Sequence, residues 1–363
     1  MEKLTLAQRF HIDIPLLFGL LVLFSIGLVV LYSASGQDLQ VIWRQLAKMI
    51  VGIILMIIAA QFSPAQYERW SLWVYLFGLI LLILVLVTGH IGKGAQRWLD
   101  LGLFRFQPSE IMKLAVPLVI AWLLAGRELP PSLDRIFVSI VMILIPVTLI
   151  ALQPDLGTAL LVATAGLAVL FISGIQWRLM ITFTFVATVC APVLWHFMHD
   201  YQKKRVLTFL NPEQDPLGAG YHTIQSMIAV GSGGIYGKGW LNGTQSHLEF
   251  LPERSTDFIF AVYAEEFGLM GILLLISIYL FIILRGLNIA LSAQQIYGKL
   301  LSSGLILTFF VYVFVNMGMV TGQLPVVGVP LPLVSLGGTS MVTLMIAFGI
   351  LMAIQTNRRL LSD

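Results

Sequence analysis

Long apolar runs separated by short polar connections dominate the chain. A helix needs about 20 residues to cross the hydrocarbon core of a bilayer. By that length we expect ten spans, near residues 14–33, 42–61, 71–88, 110–125, 136–151, 156–173, 179–197, 258–284, 300–321 and 337–355. The predicted fold is therefore an all-α polytopic membrane protein with ten transmembrane helices.

A long and mostly polar stretch interrupts this series between the seventh and eighth apolar runs. It covers residues 198–257, while every other connection is short. Within it, residues 218–240 are rich in glycine and cannot span a bilayer. We therefore expect a single membrane domain over residues 1–363, with one long extracytoplasmic loop and both termini on the opposite side.

The orientation follows from basic residues in short loops, which favour the cytoplasmic side. The first apolar run is longer than the roughly 7–15 residues of a signal peptide, so we expect it to be retained as a helix. With the N-terminus inside, every short inner loop is basic and residues 198–257 lie outside. The outer side carries nearly as many lysines and arginines, which suits an anionic partner there.

Composition supports a lipid-embedded chain and excludes several other classes. The sequence is 58% hydrophobic and 11% charged, with a mean hydropathy of +0.92, whereas soluble domains are about 25% charged. A net charge of +3 is too small to indicate nucleic-acid binding. Cys190 is the only cysteine, which excludes an internal disulfide and a cysteine-based zinc site. The sequence also lacks the HExxH, Walker and GxSxG motifs.

Proline and glycine interrupt the apolar pattern again just before the last span. Residues 322–338 read GQLPVVGVPLPLVSLGG. Broken backbone at membrane depth is tolerated only where it is buried in protein or lines a cavity. We therefore expect a re-entrant turn that leads into the last helix.

Asp257 lies at the boundary where the long polar stretch meets the eighth span. A carboxylate between water and a low-dielectric wall can have its basicity tuned by its surroundings. Asp257 follows Ser255 and Thr256, so it could instead cap the helix that begins there. A catalytic base and a helix cap both remain open from the residues alone.

Glu110 and Lys113 lie three residues apart at the start of an apolar span. At helical spacing they can pair on one face. Ionisable residues inside a membrane helix usually face a cavity, although a purely structural ion pair is an equal alternative. The preceding loop, residues 94–105, contributes Arg97 and Arg105 and is suited to form the rim of a headgroup-binding site.

Four further charged residues lie at or near the ends of predicted spans. Arg44 opens the second span, where it could bind an anion or reach the membrane interface. Asp155 opens the sixth and is suited to cap that helix. Glu265 and Glu266 are neighbours about two turns into the eighth span, so at most one is expected to line a cavity and the other needs a partner.

Several long motifs closely resemble the SEDS family of membrane proteins, and in particular its branch specific to cell elongation. They are RWLDLGLFRFQPSEIMK (97–113), QPDLGTA (153–159), DPLGAGYHTIQSMIAVGSGG (215–234), GKGWLNGTQSHLEFLPERSTDFIFAVYAEEFG (237–268) and PLPLVSLGGTSM (330–341). The resemblance covers essentially the whole chain, in order. One departure is Leu336, where the family is expected to carry an aromatic residue.

The resemblance implies a peptidoglycan glycosyltransferase that polymerises lipid II at the outer face of the cytoplasmic membrane. In the family pattern Asp257 matches the catalytic aspartate, and Glu110 and Lys113 match a pair in the membrane cavity. Arg44 and Asp155 match further family positions. The resemblance also implies a partner, a class B penicillin-binding protein that supplies transpeptidation.

Chemistry of this kind assigns roles to the charged residues. A sugar 4-hydroxyl attacks, a lipid diphosphate leaves and the anomeric centre inverts, with Asp257 as the expected general base. Arg44, Arg105, Lys113 and Lys238 could share the charge of the departing diphosphate. No cofactor is certain, and a divalent cation could take part in that role, which the sequence does not settle.

Two other functions use the same features. A lipid II flippase would need the cavity and the cations without the chemistry, and a scaffold would only position the penicillin-binding protein. The clustering of charged and broken segments on one side favours the polymerase.

The single membrane helix of the partner needs a lipid-facing surface on which to dock. Small residues allow close approach of helices. The ninth span contains Gly304 and Gly318, and the tenth contains Ala347 and Gly349, so these two helices are the expected docking face.

Overall fold

The computed structural model describes residues 10–92, 95–100, 105–126, 128–198, 200–212, 219–247 and 253–357. Within them the chain is predominantly helical. The helices are α1 (Ile14–Ala34), α2 (Leu39–Ala60), α3 (Pro64–Thr88), α4 (Pro108–Ala125), α5 (Leu133–Leu152), α6 (Leu156–Ile172), α7 (Trp177–Phe197), α8 (Asp200–Leu210), α9 (Ala219–Ser232), α10 (Thr244–His247), α11 (Ile259–Leu291), α12 (Ile296–Val320) and α13 (Thr339–Thr356).

Each of the ten predicted spans coincides with one of these helices, but not all are equally suited to cross a membrane. Eight of the described helices are long and apolar enough, namely α1 to α5 and α11 to α13. Helix α6 is apolar but shorter, and α7 is not among the eight. A multi-span helical membrane protein is therefore established, and the count of ten stays a prediction.

Local sequence signals explain where several helices begin. The Asp13 carboxylate accepts a hydrogen bond from the backbone N–H of Leu16 at 3.0 Å and so caps α1. At the start of α3, Ser63 and Gln66 form a reciprocal capping box, and Pro64 occupies the first turn. These bonds satisfy N–H groups that an isolated helix end leaves free.

A small antiparallel sheet, which the apolar pattern did not predict, lies between α3 and α4. Its strands are β1 (His90–Gly92), β2 (Ala95–Asp100) and β3 (Arg105–Phe106), in the order β1-β2-β3. Strand β2 contacts both α3 and α4. The predicted loop at 94–105 is thus partly a strand held against the bundle, which fixes the position of Arg97.

The stretch 198–257, expected as one long loop, is largely helical in its described part. It contains α8, α9 and α10, and α9 packs against α11 and α12. In α9 the residues Thr223, Ser226 and Ala229 recur every three positions and are all buried. The glycines of 218–240 suggested irregular backbone, but this helical spacing of buried positions decides the structure up to Ser232.

Helix α11 is broken at Gly268, whose φ of 62° and ψ of −162° lie outside the helical region. The glycine-rich segment 233–239 supplies the missing backbone partners. Its hydrogen bonds run from Lys238 N to Glu265 O at 3.0 Å, from Gly239 N to Glu266 O at 3.0 Å, from Leu269 N to Gly234 O at 2.9 Å and from Met270 N to Ile235 O at 3.1 Å. A Cβ at Gly237 or Gly268 would collide with the facing backbone, so glycine is required for this approach.

The small residues expected to face a partner helix instead pack inside the bundle, so they do not form a docking face. The choice of the ninth and tenth spans as docking helices stays a prediction. A Cβ at Gly304 would collide with Val169 of α6, and one at Gly349 would collide with the backbone of α2. Gly318 is closed off by the segment after α12, and Ala347 is only 8% exposed. Small residues permit close approach of any helix, so sequence alone does not distinguish an internal neighbour from an external one.

The segment between α12 and α13 is non-helical, as the prolines and glycines of residues 322–338 predicted. Its later part is buried, with Val329, Leu331, Val334 and Ser335 all less than 5% exposed, whereas Gln323 and Gly328 are exposed. Irregular backbone is thus enclosed by protein rather than exposed to lipid. This segment forms one wall of a polar cavity.

Candidate active site

A cavity of about 250 Å³ opens where the irregular segments meet α4, α6 and α12. Its lining combines polar and charged residues with parts of the irregular segment. The polar and aromatic residues include Arg97, Trp98, Gln107, Glu110, Lys113, Asp155, Thr256, Asp257 and Tyr312, and the irregular segment contributes Gly328–Pro330 and Leu336–Ser340. Five residues expected from sequence to form a site, namely Arg97, Glu110, Lys113, Asp155 and Asp257, are therefore brought together in one place.

Asp257 lies immediately before α11 and is half-buried in the cavity wall. The N-cap of α11 is Phe258, which makes no side-chain capping bond. Asp257 therefore lies one residue before the N-cap position that the capping interpretation gave it. Gly328, with a φ of +75°, passes so close that a Cβ there would lie 3.5 Å from Asp257 Oδ2.

Glu110 and Lys113 form the ion pair that their spacing predicted. Lys113 Nζ lies 2.6 Å from Glu110 Oε1, and both side chains are more than nine-tenths buried. The same ammonium group also donates to the hydroxyl of Tyr312 on α12. Glu110 Oε2 is buried and has no hydrogen-bond partner among the described residues.

Tyr312 is a site residue that the sequence analysis missed. It lies in an apolar span, where a tyrosine is unremarkable by composition. The available signal was its position one helical turn before Asn316, a second polar residue on the same apolar helix.

Asp155 both caps α6 and lines the cavity. Its Oδ1 accepts from the backbone N–H of Thr158 at 3.2 Å, which confirms the predicted cap. Its Oδ2 accepts from Gln107 Nε2 at 2.9 Å and lies 3.9 Å from Arg97 Nε. Arg97 also donates to the backbone carbonyl of Pro154. These contacts tie strand β2 to the start of α6 and hold a guanidinium at the cavity mouth.

Three further residues with expected substrate roles are placed differently. Arg44 is exposed on α2 and is not among the residues that line the cavity. Arg105 lies in β3, and its side chain is outside the described part of the chain. Lys238 does not line the cavity either; its ammonium is 2.7 Å from Glu265 Oε1 and 2.8 Å from Thr244 Oγ1. The expectation that Lys238 shares the site of Lys113 is therefore not met, because Glu265 binds it elsewhere.

Glu265 and Glu266 are both buried beside the break in α11, and neither lines this cavity. Besides Lys238, Glu265 accepts hydrogen bonds from the backbone N–H groups of Thr244 and Gln245 at 2.9 and 3.1 Å. Glu266 accepts from the hydroxyl of Ser33 on α1. Adjacent carboxylates thus point to different partners, and both hold structure around the break.

The cavity places carboxylates and cations within one enclosed space. Glu110 pairs with Lys113, Asp155 lies beside Arg97, and Asp257 lines the same cavity. In the part of the chain that the structure describes, no group of three or more His, Cys, Asp or Glu residues could hold a metal ion. Such an arrangement can accept a proton at one carboxylate while cations bind an anionic group nearby.

The chain matches a protein-family model over residues 7–360, described as the cell cycle proteins FtsW, RodA and SpoVE. It is 54% identical to the peptidoglycan glycosyltransferase MrdB of Escherichia coli K12, covering 99% of this chain and 98% of that protein. It is 33% identical to the peptidoglycan glycosyltransferase RodA of Treponema pallidum, covering 95% and 98%.

Solved structures agree with these sequence relationships. The crystal structure of the rod shape determining protein RodA of Thermus thermophilus aligns with a TM-score of 0.73 at 28% identity, covering 97% of this chain and 98% of that chain. A chain from a study of how a peptidoglycan synthase complex coordinates polymerization and crosslinking aligns with a TM-score of 0.84 at 31% identity, covering 96% and 98%.

Proposed function

The chain belongs to the FtsW, RodA and SpoVE family, also called SEDS, and on that basis we propose that it polymerises lipid II with Asp257 as general base. It is a peptidoglycan glycosyltransferase of the RodA type, a multi-pass protein of the bacterial cytoplasmic membrane that acts in cell elongation. The observation that supports the catalytic assignment is that Asp257 lines the same cavity as Lys113 and Arg97.

The proposed topology is a single domain over residues 1–363 with ten spans and cytoplasmic termini. In it the stretch 198–257 lies outside the cell, between the seventh and eighth spans. The position of one helix at each predicted span supports this arrangement. Basic residues in every short inner loop support the orientation.

The reaction balances around a single proton transfer. The 4-hydroxyl oxygen of one sugar forms a bond to the anomeric carbon of another, and the bond from that carbon to the diphosphate oxygen breaks. The hydroxyl proton passes to the Asp257 carboxylate, and the bonding electron pair leaves with the polyprenyl diphosphate. Attack from the face opposite the leaving group inverts the anomeric centre. General base catalysis of this type contributes about 10²–10⁴-fold.

Charge on the departing diphosphate is matched by Lys113 and Arg97 in this proposal. The N-terminal end of α13 adds to it, because residues 337–340 line the cavity and the Gly338 N-cap makes no side-chain capping bond. The positive end of a helix dipole favours phosphate. Arg44 and Arg105 are proposed to contact the substrate outside the enclosed part of the cavity.

That a divalent cation accompanies the diphosphate stays a prediction. The proposed proton transfer to Asp257 does not require a resident cofactor. Its test is polymer synthesis by purified protein across a titration with EDTA, followed by restoration with Mg²⁺ or Mn²⁺. Activity that is unchanged at saturating EDTA would remove the cation from the mechanism.

The proposed partner is a class B penicillin-binding protein that crosslinks the strands. The similarity to a chain from a peptidoglycan synthase complex supports it. We expect the partner to co-purify in mild detergent and to raise polymerase turnover by shifting the conformation of residues 198–257. Failure to co-purify, together with unchanged turnover on mixing, would remove this partner while leaving the polymerase intact.

Purified protein incubated with lipid II alone tests the function. The expected product is glycan polymer, and Asp257→Asn should lower its rate by about 10²–10⁴-fold while membrane insertion stays normal. Wild-type rates in Asp257→Asn would show that this residue is not the base. A flippase would instead move lipid II across vesicles without forming polymer, and a scaffold would do neither.

A further inference from the structure

The backbone around Asp257 is held by three consecutive hydrogen bonds from distant parts of the chain. The donors are the Leu336 backbone N–H to Ser255 O at 2.8 Å, the Ser335 hydroxyl to Thr256 O at 2.6 Å and the Asn316 side-chain amide to Asp257 O at 2.8 Å. Segments that join helices normally lie on the surface with mobile backbone. Here each successive carbonyl is fixed instead.

Asn316 makes the bond to Asp257 itself and uses both of its donors in this region. It lies fully buried on α12, and its Nδ2 also donates to Val329 O at 2.7 Å. A side-chain amide nitrogen carries two hydrogens, so both are committed to backbone carbonyls. One side chain thus joins the residue before α11 to the irregular segment before α13.

The bond from Asn316 to Val329 also restrains the neighbouring residue in the chain. Val329 is adjacent to Gly328, the residue that passes against the Asp257 carboxylate. Asn316 therefore fixes the backbone of Asp257 and the wall facing its carboxylate together. A general base must lie within about 2.6–3.2 Å of the proton it takes, and a misplacement of about 1 Å can cost around 10²-fold in rate.

The unused half of the amide indicates how strongly the two donors are needed. Asn316 Oδ1 is buried and has no hydrogen-bond partner among the described residues. Leaving a buried acceptor unpaired destabilises a protein. Keeping an amide here despite that cost indicates that its two donors are needed where they are.

We propose that Asn316 is a positioning residue for the reaction, and that Ser335 supports it through the preceding carbonyl. Asn316 does not line the cavity, and it acts through the placement of Asp257. This inference rests on the proposed role of Asp257 as general base.

The test compares Asn316→Leu and Ser335→Ala with wild type in lipid II polymerisation by purified protein. Asn316→Leu should lower kcat by about 10–10²-fold with KM for lipid II close to wild type. It should also lower the thermal midpoint, because the Asp257 and Val329 carbonyls lose their donor. Ser335→Ala should lower kcat several-fold. Ser302→Ala is the matched control, because that hydroxyl is equally buried but donates to Gly298 O within α12. Its kcat should be that of wild type.

A second measurement repeats both changes in an Asp257→Asn background, with residual polymer measured over long incubations. If Asn316 acts only through Asp257, neither change should cause a further loss. Losses that multiply in this background would overturn the inference. If Asn316→Leu does not accumulate in membranes, Ser335→Ala is tested alone. A further loss of polymer from Ser335→Ala in the Asp257→Asn background would then overturn the inference.

The outcomes separate this inference from the proposed function. Wild-type kcat in Asn316→Leu beside an inactive Asp257→Asn would refute only the positioning role. Full activity in Asp257→Asn would refute the base assignment, and the positioning role with it.

Discussion

Replacing Lys113 alone, and then together with Glu110, separates the stabilising role of this ion pair from its role in catalysis. The two charged groups lie 2.6 Å apart with side chains only 7% and 6% exposed. The Tyr312 hydroxyl is the second acceptor of the same ammonium. Lys113→Met therefore leaves a buried carboxylate without its cation, whereas Glu110→Gln with Lys113→Met removes both charges together.

The two variants should differ strongly in stability and little in activity. Breaking a buried pair by removing one partner costs about 3–5 kcal/mol. Removing both charges also removes their desolvation penalty, so we expect the double variant to be about as stable as wild type. If Lys113 stabilises the departing diphosphate, the double variant should still lose about 10²–10³-fold in kcat.

Thermal unfolding of purified protein in detergent measures the first effect, and polymerisation of lipid II measures the second. The matched control removes a different ion pair, formed by Asp13 and Arg285. The two side chains lie 2.5 Å apart, and neither lines the cavity. Asp13→Asn with Arg285→Met should leave kcat unchanged. A Glu110→Gln/Lys113→Met protein that is stable and fully active would refute the catalytic role. A Lys113→Met protein as stable as wild type would refute the energetic argument.

Two further predictions concern topology and pH. Tyr236 is 83% exposed, so Tyr236→Cys in a Cys190→Ala background should react with an impermeant thiol reagent from the periplasmic side. Labelling only after the inner membrane is permeabilised would show that the proposed orientation is reversed. Burial lowers the pKa of His222 below its ordinary value of 6.5, against an opposing effect of Glu253. The folded protein then binds fewer protons than the unfolded chain just below pH 6.5, so stability should fall as the pH drops through that range. His222→Gln should lessen the fall in thermal midpoint between about pH 7.5 and 5.5, and an identical pH dependence in both proteins would contradict this.

Features that depend on neighbours along the chain were predictable from sequence. The apolar runs located the helices, and the spacing of Glu110 and Lys113 predicted their ion pair. Asp155 directly precedes an apolar run, and this position predicted that it caps the helix. The proline and glycine pattern of 322–338 predicted buried irregular backbone. In each case the interaction lies within one helical turn or within one segment.

Features that depend on contacts between distant segments were not predictable in this way. Tyr312 joins Lys113 across 199 positions, and Lys238 joins Glu265 across 27. No local pattern distinguishes either pairing from a solvated or lipid-facing side chain. The docking surface predicted from the glycines of α12 and α13 was not found for the same reason, because a glycine allows close approach of any neighbouring helix. The strands β1 to β3 were missed because short polar strands carry little periodicity.

The broken helix and the irregular segments together explain how a residue outside any helix can be held firmly. Residues 259–267 form a short helical piece that begins two positions after Asp257. At one end, the three bonds to the carbonyls of residues 255–257 fix its entry. At the other end, segment 233–239 pairs with the backbone on both sides of Gly268, and the partly buried ion pair of Lys238 and Glu265 restrains that segment. Because the piece is fixed at both ends, the position of Asp257 does not depend on the conformation of a free loop, which is the condition that proton transfer in an enclosed cavity requires.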